Sequence, residues 1–211
     1  MGEAINFVFF VDVSGSMYGQ KIASVNASVS ECISELKQLE TSTDKTIRVT
    51  IVTFAEKLSA NPLNKAPSEI SIPNMGVVLQ PDGFYSTTSY NELYRGIRFL
   101  LIKNYIADQK KGESTYMFLF SDAKPVDSKE YDQAYNALQG MEFFKNSHRY
   151  FANVNDNLDI MTTDILKFVD YNGKQVIPAA EASQVISKLS VELSSDSFGQ
   201  GDNDKYSDIF K

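Results

Sequence analysis

Apolar residues recur along this chain in two rhythms. Largely apolar, β-rich runs stand at residues 5–11, 47–54 and 116–120, the second alternating imperfectly with Arg48, Thr50 and Thr53. Ile5-Asn6-Phe7-Val8-Phe9-Phe10-Val11 and Tyr116-Met117-Phe118-Leu119-Phe120 hardly alternate, and they are aromatic or β-branched. That pattern predicts strands buried on both faces. Between them the period changes to three and four. Ile22, Val25, Val29, Cys32, Ile33, Leu36 and Leu39 predict a helix over 20–39, with Ser24, Ser28, Glu31, Glu35 and Lys37 on its other face. Leu93, Ile97, Leu100 and Leu101 predict a second over 89–106, with Tyr90 and Tyr94 alongside. A helix over 129–144 begins after Ser128, an acceptable N-cap. Strands over 149–154 and 175–177 and helices over 158–169 and 181–193 complete the series. Residues 57–63 read as a short edge strand limited by Pro62.

Strands alternating with helices predict a doubly wound α/β domain with a mostly parallel central sheet, helices on both faces and a short antiparallel edge strand. It spans residues 1–193 as one unit, with no internal repeat. Right-handed crossovers place the ends of the first strand and of 116–120 on the same sheet edge. Residues 64–87, interrupted by Pro67, Pro73, Pro81 and Gly83, read as a long surface connection. Residues 194–211 form an acidic, Ser-, Gly- and Asp-rich tail in which Tyr206, Ile209 and Phe210 are the apolar exceptions.

Composition narrows the partners. The net charge is −7 over 211 residues. That argues against nucleic acid as a partner, which requires a basic face. No stretch reaches the roughly 18 apolar residues of a membrane span. The N-terminus shows no basic region leading into a long apolar run, so a secretory signal is not expected. The one cysteine, Cys32, rules out an internal disulfide framework and reads as a small buried hydrophobe. The expectation is a cytoplasmic protein, monomeric outside its complexes.

Candidate chemistry concentrates where the first strand ends, at Asp12-Val13-Ser14-Gly15-Ser16. A carboxylate and two hydroxyls alternate there, so a turning backbone points them the same way, and Gly15 lets the turn bend tightly. In open α/β sheets, ligands bind beyond the carboxyl ends of the strands. Hydroxyls with a few carboxylates suit a hard cation such as Mg²⁺, which takes about six oxygens and keeps waters. One loop cannot surround an ion. Asp122, after the strand 116–120, is the natural second acid. A hydroxyl from Ser86-Thr87-Thr88-Ser89 is a third candidate, as a ligand or as a helix cap.

From these residues the chain resembles the von Willebrand factor A domain, with its metal-ion-dependent adhesion site. The D-x-S-x-S motif is Asp12-Val13-Ser14-Gly15-Ser16, followed by Met17. The threonine before a helix corresponds to Thr88, with Thr87 the alternative. The aspartate after a buried strand is Asp122, in Ser121-Asp122-Ala123-Lys124-Pro125, where Ala123 stands in place of the usual glycine. The resemblance implies Mg²⁺ or Mn²⁺ held directly by Ser14, Ser16 and Thr88, with Asp12 and Asp122 acting through waters. It implies a non-enzymatic module that leaves one coordination position for an Asp or Glu of a protein partner. Tyr18-Gly19-Gln20-Lys21-Ile22 and Val25-Asn26 are similar to small bacterial proteins of the tellurium-resistance type.

Tyr18, Phe84, Tyr85 and Tyr90 are expected to frame the partner surface, since aromatics dominate interface hot spots. A Mg²⁺-dependent phosphohydrolase or phosphotransferase is the competing reading. Ser14 stands where an aspartyl-phosphate enzyme needs a second acid, and Gly15 to Lys21 lacks the spacing of a phosphate loop. A scaffold that uses the fold without the ion is a third reading. His148 is expected at the surface or as a cap, and Asn155-Asp156 as a solvated turn.

Overall fold

The computed structural model describes residues 4–71, 74–79, 83, 86–102, 114–123, 125–126, 131–155, 163–169 and 175–194. Six strands and six α-helices follow along them: β1 (Ala4–Asp12), α1 (Gln20–Ser42), β2 (Thr46–Phe54), β3 (Leu58–Ala60), α2 (Tyr90–Ile102), β4 (Ser114–Ser121), α3 (Asp132–Gln139), α4 (Glu142–Asn146), β5 (His148–Asn153), α5 (Thr163–Phe168), β6 (Val176–Pro178) and α6 (Ala182–Ser194). The strands lie in the order β3-β2-β1-β4-β5-β6. β3 pairs antiparallel with β2, and every other pair is parallel. The doubly wound architecture and its short antiparallel edge are as expected.

The largely apolar runs are explained by a core on each side of the sheet. Ile5, Phe7, Phe9, Val11 and Val13 of the first strand and its extension meet α1 and α6. Val8 and Phe10 point the other way, toward Leu93, Tyr94, Ile97 and Leu100 of α2. A strand covered on both faces gains nothing from a polar position, so period two disappears. Cys32 is buried among the aliphatics of α1, and burial raises its thiol pKa far above the ordinary range. It is inert packing.

Aromatic rings stack across the strands on the α1 and α6 side. Phe7, Tyr116 and His148 form one row, with ring centroids 5.1 Å and then 4.7 Å apart. His148 is thus the first residue of β5, half-buried against Tyr116, and not a surface or capping group. The ring's aromatic character lets it continue the row as the next rung.

The single helix expected over 129–144 is two helices among the described residues, broken at Gly140-Met141. α3 buries Tyr135 and Leu138. Continuing its stripe would carry Glu142 and Lys145 inward. The break re-aims the chain so that Phe143 and Phe144 are buried instead. The expected helix ends at 103–106 and 158–162 and the tail from 195, with Tyr206, Ile209 and Phe210, lie outside the described residues. None of the described helices is long and apolar enough to cross a membrane.

Candidate metal centre

Three segments meet at the carboxyl edge of the sheet, beside the junction of β1 with β2 and β4. The first follows β1. After Asp12 the backbone stays extended at Ser14, makes a single 3₁₀ turn over Gly15–Met17, and buries Met17 as an anchor. Gly19 then takes φ of +79°, a left-handed conformation that costs glycine nothing, and α1 starts. The second segment, 86–89, precedes α2. The third is the turn after β4. Backbone hydrogen bonds knit them together. Gly15 N–H donates to the Ser86 carbonyl (2.8 Å), and Val126 N–H donates to that of Thr88 (3.1 Å).

The side chains form one hydrogen-bonded string. Ser14 Oγ lies 2.7 Å from Thr88 Oγ1 and 3.2 Å from Ser16 Oγ. Thr88 Oγ1 donates to Asp12 Oδ2 (3.2 Å), and Ser16 Oγ donates to Asp122 Oδ1 (3.0 Å). Asp12, Ser14, Thr88 and Asp122 are buried, and Ser16 is exposed. The five residues singled out in the sequence are therefore adjacent. Thr87 is separated from Thr88 by its contacts. It is exposed, and its N–H and hydroxyl both go to Glu56 Oε1.

The string has a direction. Two hydroxyl protons drain into two carboxylates, which leaves oxygen lone pairs of Thr88, Ser14 and Ser16 turned away from the acids. An octahedral ion with metal–oxygen distances of about 2.0–2.1 Å has adjacent oxygens roughly 3 Å apart. The hydroxyl spacings of 2.7 Å and 3.2 Å fall on either side of that edge length. Among the described residues no three His, Cys, Asp or Glu side chains cluster. The donor set is hydroxyl oxygen backed by carboxylate, which suits a hard divalent cation better than a soft one.

Asp12 accepts from Ser14 N–H at Oδ1 (2.9 Å) and from Ser121 Oγ at Oδ2 (2.7 Å). Burial raises its pKa above the ordinary carboxylate value. The Ser14 and Ser121 hydrogen bonds oppose that rise, and the charge of Asp122 adds to it. Asp122 accepts a second bond, from the ammonium of Lys21 to Oδ2 at 2.7 Å. Its backbone carbonyl accepts from Asn155 Nδ2 at 3.0 Å. Asn155 is thus a half-buried brace of the site and not a solvated turn, because strand β5 ends beside β4 and delivers it there. Asp156 lies outside the described residues.

Sequence reasoning missed Ser121, Lys21 and Asn155 as parts of the site. Ser121 was visible as the residue before the strand-end acid. Lys21 had a physical signal: a cation in the first turn of a helix opposes the macrodipole, and needs a reason.

Of the expected rim, Tyr18 is 66% exposed beside the 3₁₀ turn. Tyr90 is a correction: it is fully buried, against Phe54, Tyr94 and Tyr131. It opens the inward stripe Tyr90, Leu93, Tyr94, Ile97, so the phase of α2 turns it into the core beneath the site. Burial holds its phenol well above the ordinary pKa. Phe84 and Tyr85 lie outside the described residues. Two exposed apolar residues were not foreseen. Val78 donates its N–H to the Val13 carbonyl (2.8 Å), and Val126 is tied to Thr88. Asn26 holds the segment before Val78, donating to the Met75 carbonyl and accepting its N–H, both at 2.8 Å.

No family model matches the chain, and no curated protein sequence matches it. Solved structures do. A von Willebrand factor type A protein from Catenulispora acidiphila superposes with TM-score 0.55 at 13% identity, over 92% of this chain and 43% of that one. The pilus adhesin SpaC of Lactobacillus rhamnosus GG, in an open conformation, gives 0.62 at 9% identity, over 91% and 30%. Proximal thread matrix protein 1 of the mussel byssus, with a zinc-occupied MIDAS motif, gives 0.52 at 10% identity, over 92% and 45%. The fold is that of a von Willebrand factor A domain. The chain spans less than half the length of each of these structures.

Proposed function

We propose that this chain is a non-enzymatic interaction module that grips an acidic residue of a protein partner through a divalent cation, Mg²⁺ or Mn²⁺. Ser14, Ser16 and Thr88 would hold the ion directly, and Asp12 and Asp122 would act through waters. The observation that carries this reading is Ser14 Oγ lying 2.7 Å from Thr88 Oγ1 and 3.2 Å from Ser16 Oγ, with the outer two hydroxyls each donating to a buried carboxylate. When no carboxylate binds the ion directly, its charge is less offset and it favours an incoming anion. A structural neighbour with zinc at its MIDAS motif supports a divalent ion at such a site.

Asp12 is poorly placed for the competing phosphotransfer chemistry. It has no exposed surface, and both oxygens already accept hydrogen bonds. The partner face comprises Tyr18, Val78 and Val126, exposed residues whose backbone N–H groups are tied to Gly15, Val13 and Thr88 of the site segments. The fitting partner therefore presents a carboxylate flanked by apolar side chains. The motif's likeness to tellurium-resistance-type proteins points to a bacterial stress system, and the single unpaired cysteine suits a reducing cytoplasm.

The test is partner capture in Mg²⁺, in EDTA, and with Asp12→Ala. Capture is expected in Mg²⁺ alone. Equal capture in EDTA would remove the metal bridge and leave a scaffold that uses only the fold.

A further inference from the structure

Lys21 sits second in α1, at the end of the helix where a positive charge is disfavoured. The first turn holds no acidic residue to offset it. Its ammonium instead crosses to a different segment, 2.7 Å from Asp122 Oδ2. The Asp122 side chain has no exposed surface, while that of Lys21 keeps 28%. The pair is thus protected on the acid's side and open on the lysine's. Asp122 Oδ1 is meanwhile engaged by Ser16 Oγ. Both oxygens of the second site acid are therefore committed, one of them to a cation the protein supplies itself.

We propose that Lys21 is a built-in competitor for the divalent ion: it shares Asp122 with the bound cation and sets its affinity. The inference rests on the metal-site reading above. Two carboxylates border the hydroxyl string and one ammonium is paired with the second of them, so the charge of the cluster before loading is −1 and after loading +1. Without the ammonium those values are −2 and zero. Lys21 thus weakens the hold on the ion and leaves the loaded site with a positive charge to offer a carboxylate. A site so balanced loads only when the free ion is abundant, and it binds anions more strongly once loaded. The flexible four-carbon stem of lysine also lets the ammonium move aside without disturbing the backbone.

The experiment is titration with Mn²⁺ alone, followed by electron paramagnetic resonance. It uses the full chain, Lys21→Met, Lys21→Arg, Asp122→Asn and the double variant Lys21→Met/Asp122→Asn, each first checked by thermal unfolding. Lys21→Met should bind Mn²⁺ about tenfold or more tightly than the native chain, since methionine keeps much of the stem and removes the charge. Lys21→Arg should stay within about threefold of native. In the Asp122→Asn background the Lys21→Met gain should shrink to less than about twofold, because the competition runs through Asp122. Native or weaker binding by a folded Lys21→Met, with the native chain binding normally, overturns the inference while the metal reading stands. Binding by none of the proteins overturns both. A gain from Lys21→Met that persists in full without the Asp122 charge also overturns it, since the lysine would then act only as a distant charge.

Discussion

The loop after β1 and the loop after β4 both end a buried parallel strand with an aspartate, and they treat it differently. Asp12 accepts hydrogen bonds from the Ser14 N–H and the Thr88 and Ser121 hydroxyls, all neutral. Asp122 accepts one from the Ser16 hydroxyl and one from the Lys21 ammonium. The first acid is held by neutral donors and orients their protons. The second has much of its charge offset. The backbones differ too. The first loop bends at Gly15 and Gly19. The second bends at Ala123, with φ of +58°, a left-handed conformation that an L side chain resists. Ala123 N–H is held there by Ser121 Oγ at 3.1 Å. The lesson is that a rigid acid and a compensated one can serve a single site.

The largest effect should separate the two acids directly. Asp12→Asn is expected to lower Mn²⁺ affinity by about 100-fold, and Asp122→Asn by only about tenfold, within the range seen for groups that orient metal ligands. Titration of both variants checks the order. Equal losses would erase the distinction between the loops.

The next prediction uses the opposite edge of the sheet. Burial, aided by the Arg149 charge, lowers the His148 pKa to about 4. The folded state then binds fewer protons than the unfolded chain, so stability falls as pH drops from about 6.5 toward 4. Asp12 works the other way. Its raised pKa lets the folded state take up a proton more readily, which adds stability as pH falls through the range above the ordinary carboxylate value. In metal-free buffer the acid loss should therefore come from His148, at up to about 3 kcal/mol. Denaturant melts from pH 7 to 4 should flatten in His148→Gln. An unchanged slope would move the acid sensitivity back to the site.

A smaller effect is expected at the brace. Asn155→Ala removes the hydrogen bond to the Asp122 carbonyl, costing about 1 kcal/mol by chemical denaturation. Mn²⁺ affinity should fall by a few-fold, because only the second loop is loosened. The smallest change has the opposite sign. Ala123→Gly should stabilise the chain by roughly 0.5–1 kcal/mol, the relief of left-handed strain outweighing the extra freedom of glycine in the unfolded state. A loss on the same measurement would show that the turn holds Ala123 without strain.

The same contrast explains what the sequence made legible. Burial on both faces writes itself as an apolar run, so the strands and their order of chemistry could be read, and Asp12, Ser14 and Ser16 lie within five residues. Thr88 could not be told from Thr87, because adjacent residues differ only in the direction the backbone gives them. Tyr90 was misread as rim although its spacing to Leu93, Tyr94 and Ile97 is that of a core stripe. Lys21 was hidden because periodicity reports the apolar face of a helix and is silent about what its polar end reaches. The break at Gly140-Met141 depends on which residues the next turn would bury, a property of the packed core.

The string of hydroxyls draws on segments more than one hundred positions apart, Ser16 and Asp122 being 106 residues distant. No fragment lacking β4 could assemble it. Any ion it holds is bound by the folded chain alone, and each tenfold excess over the dissociation constant then adds about 1.4 kcal/mol to the unfolding free energy. The melting temperature in graded Mn²⁺ would thus serve as a gauge of whether the whole sheet has closed.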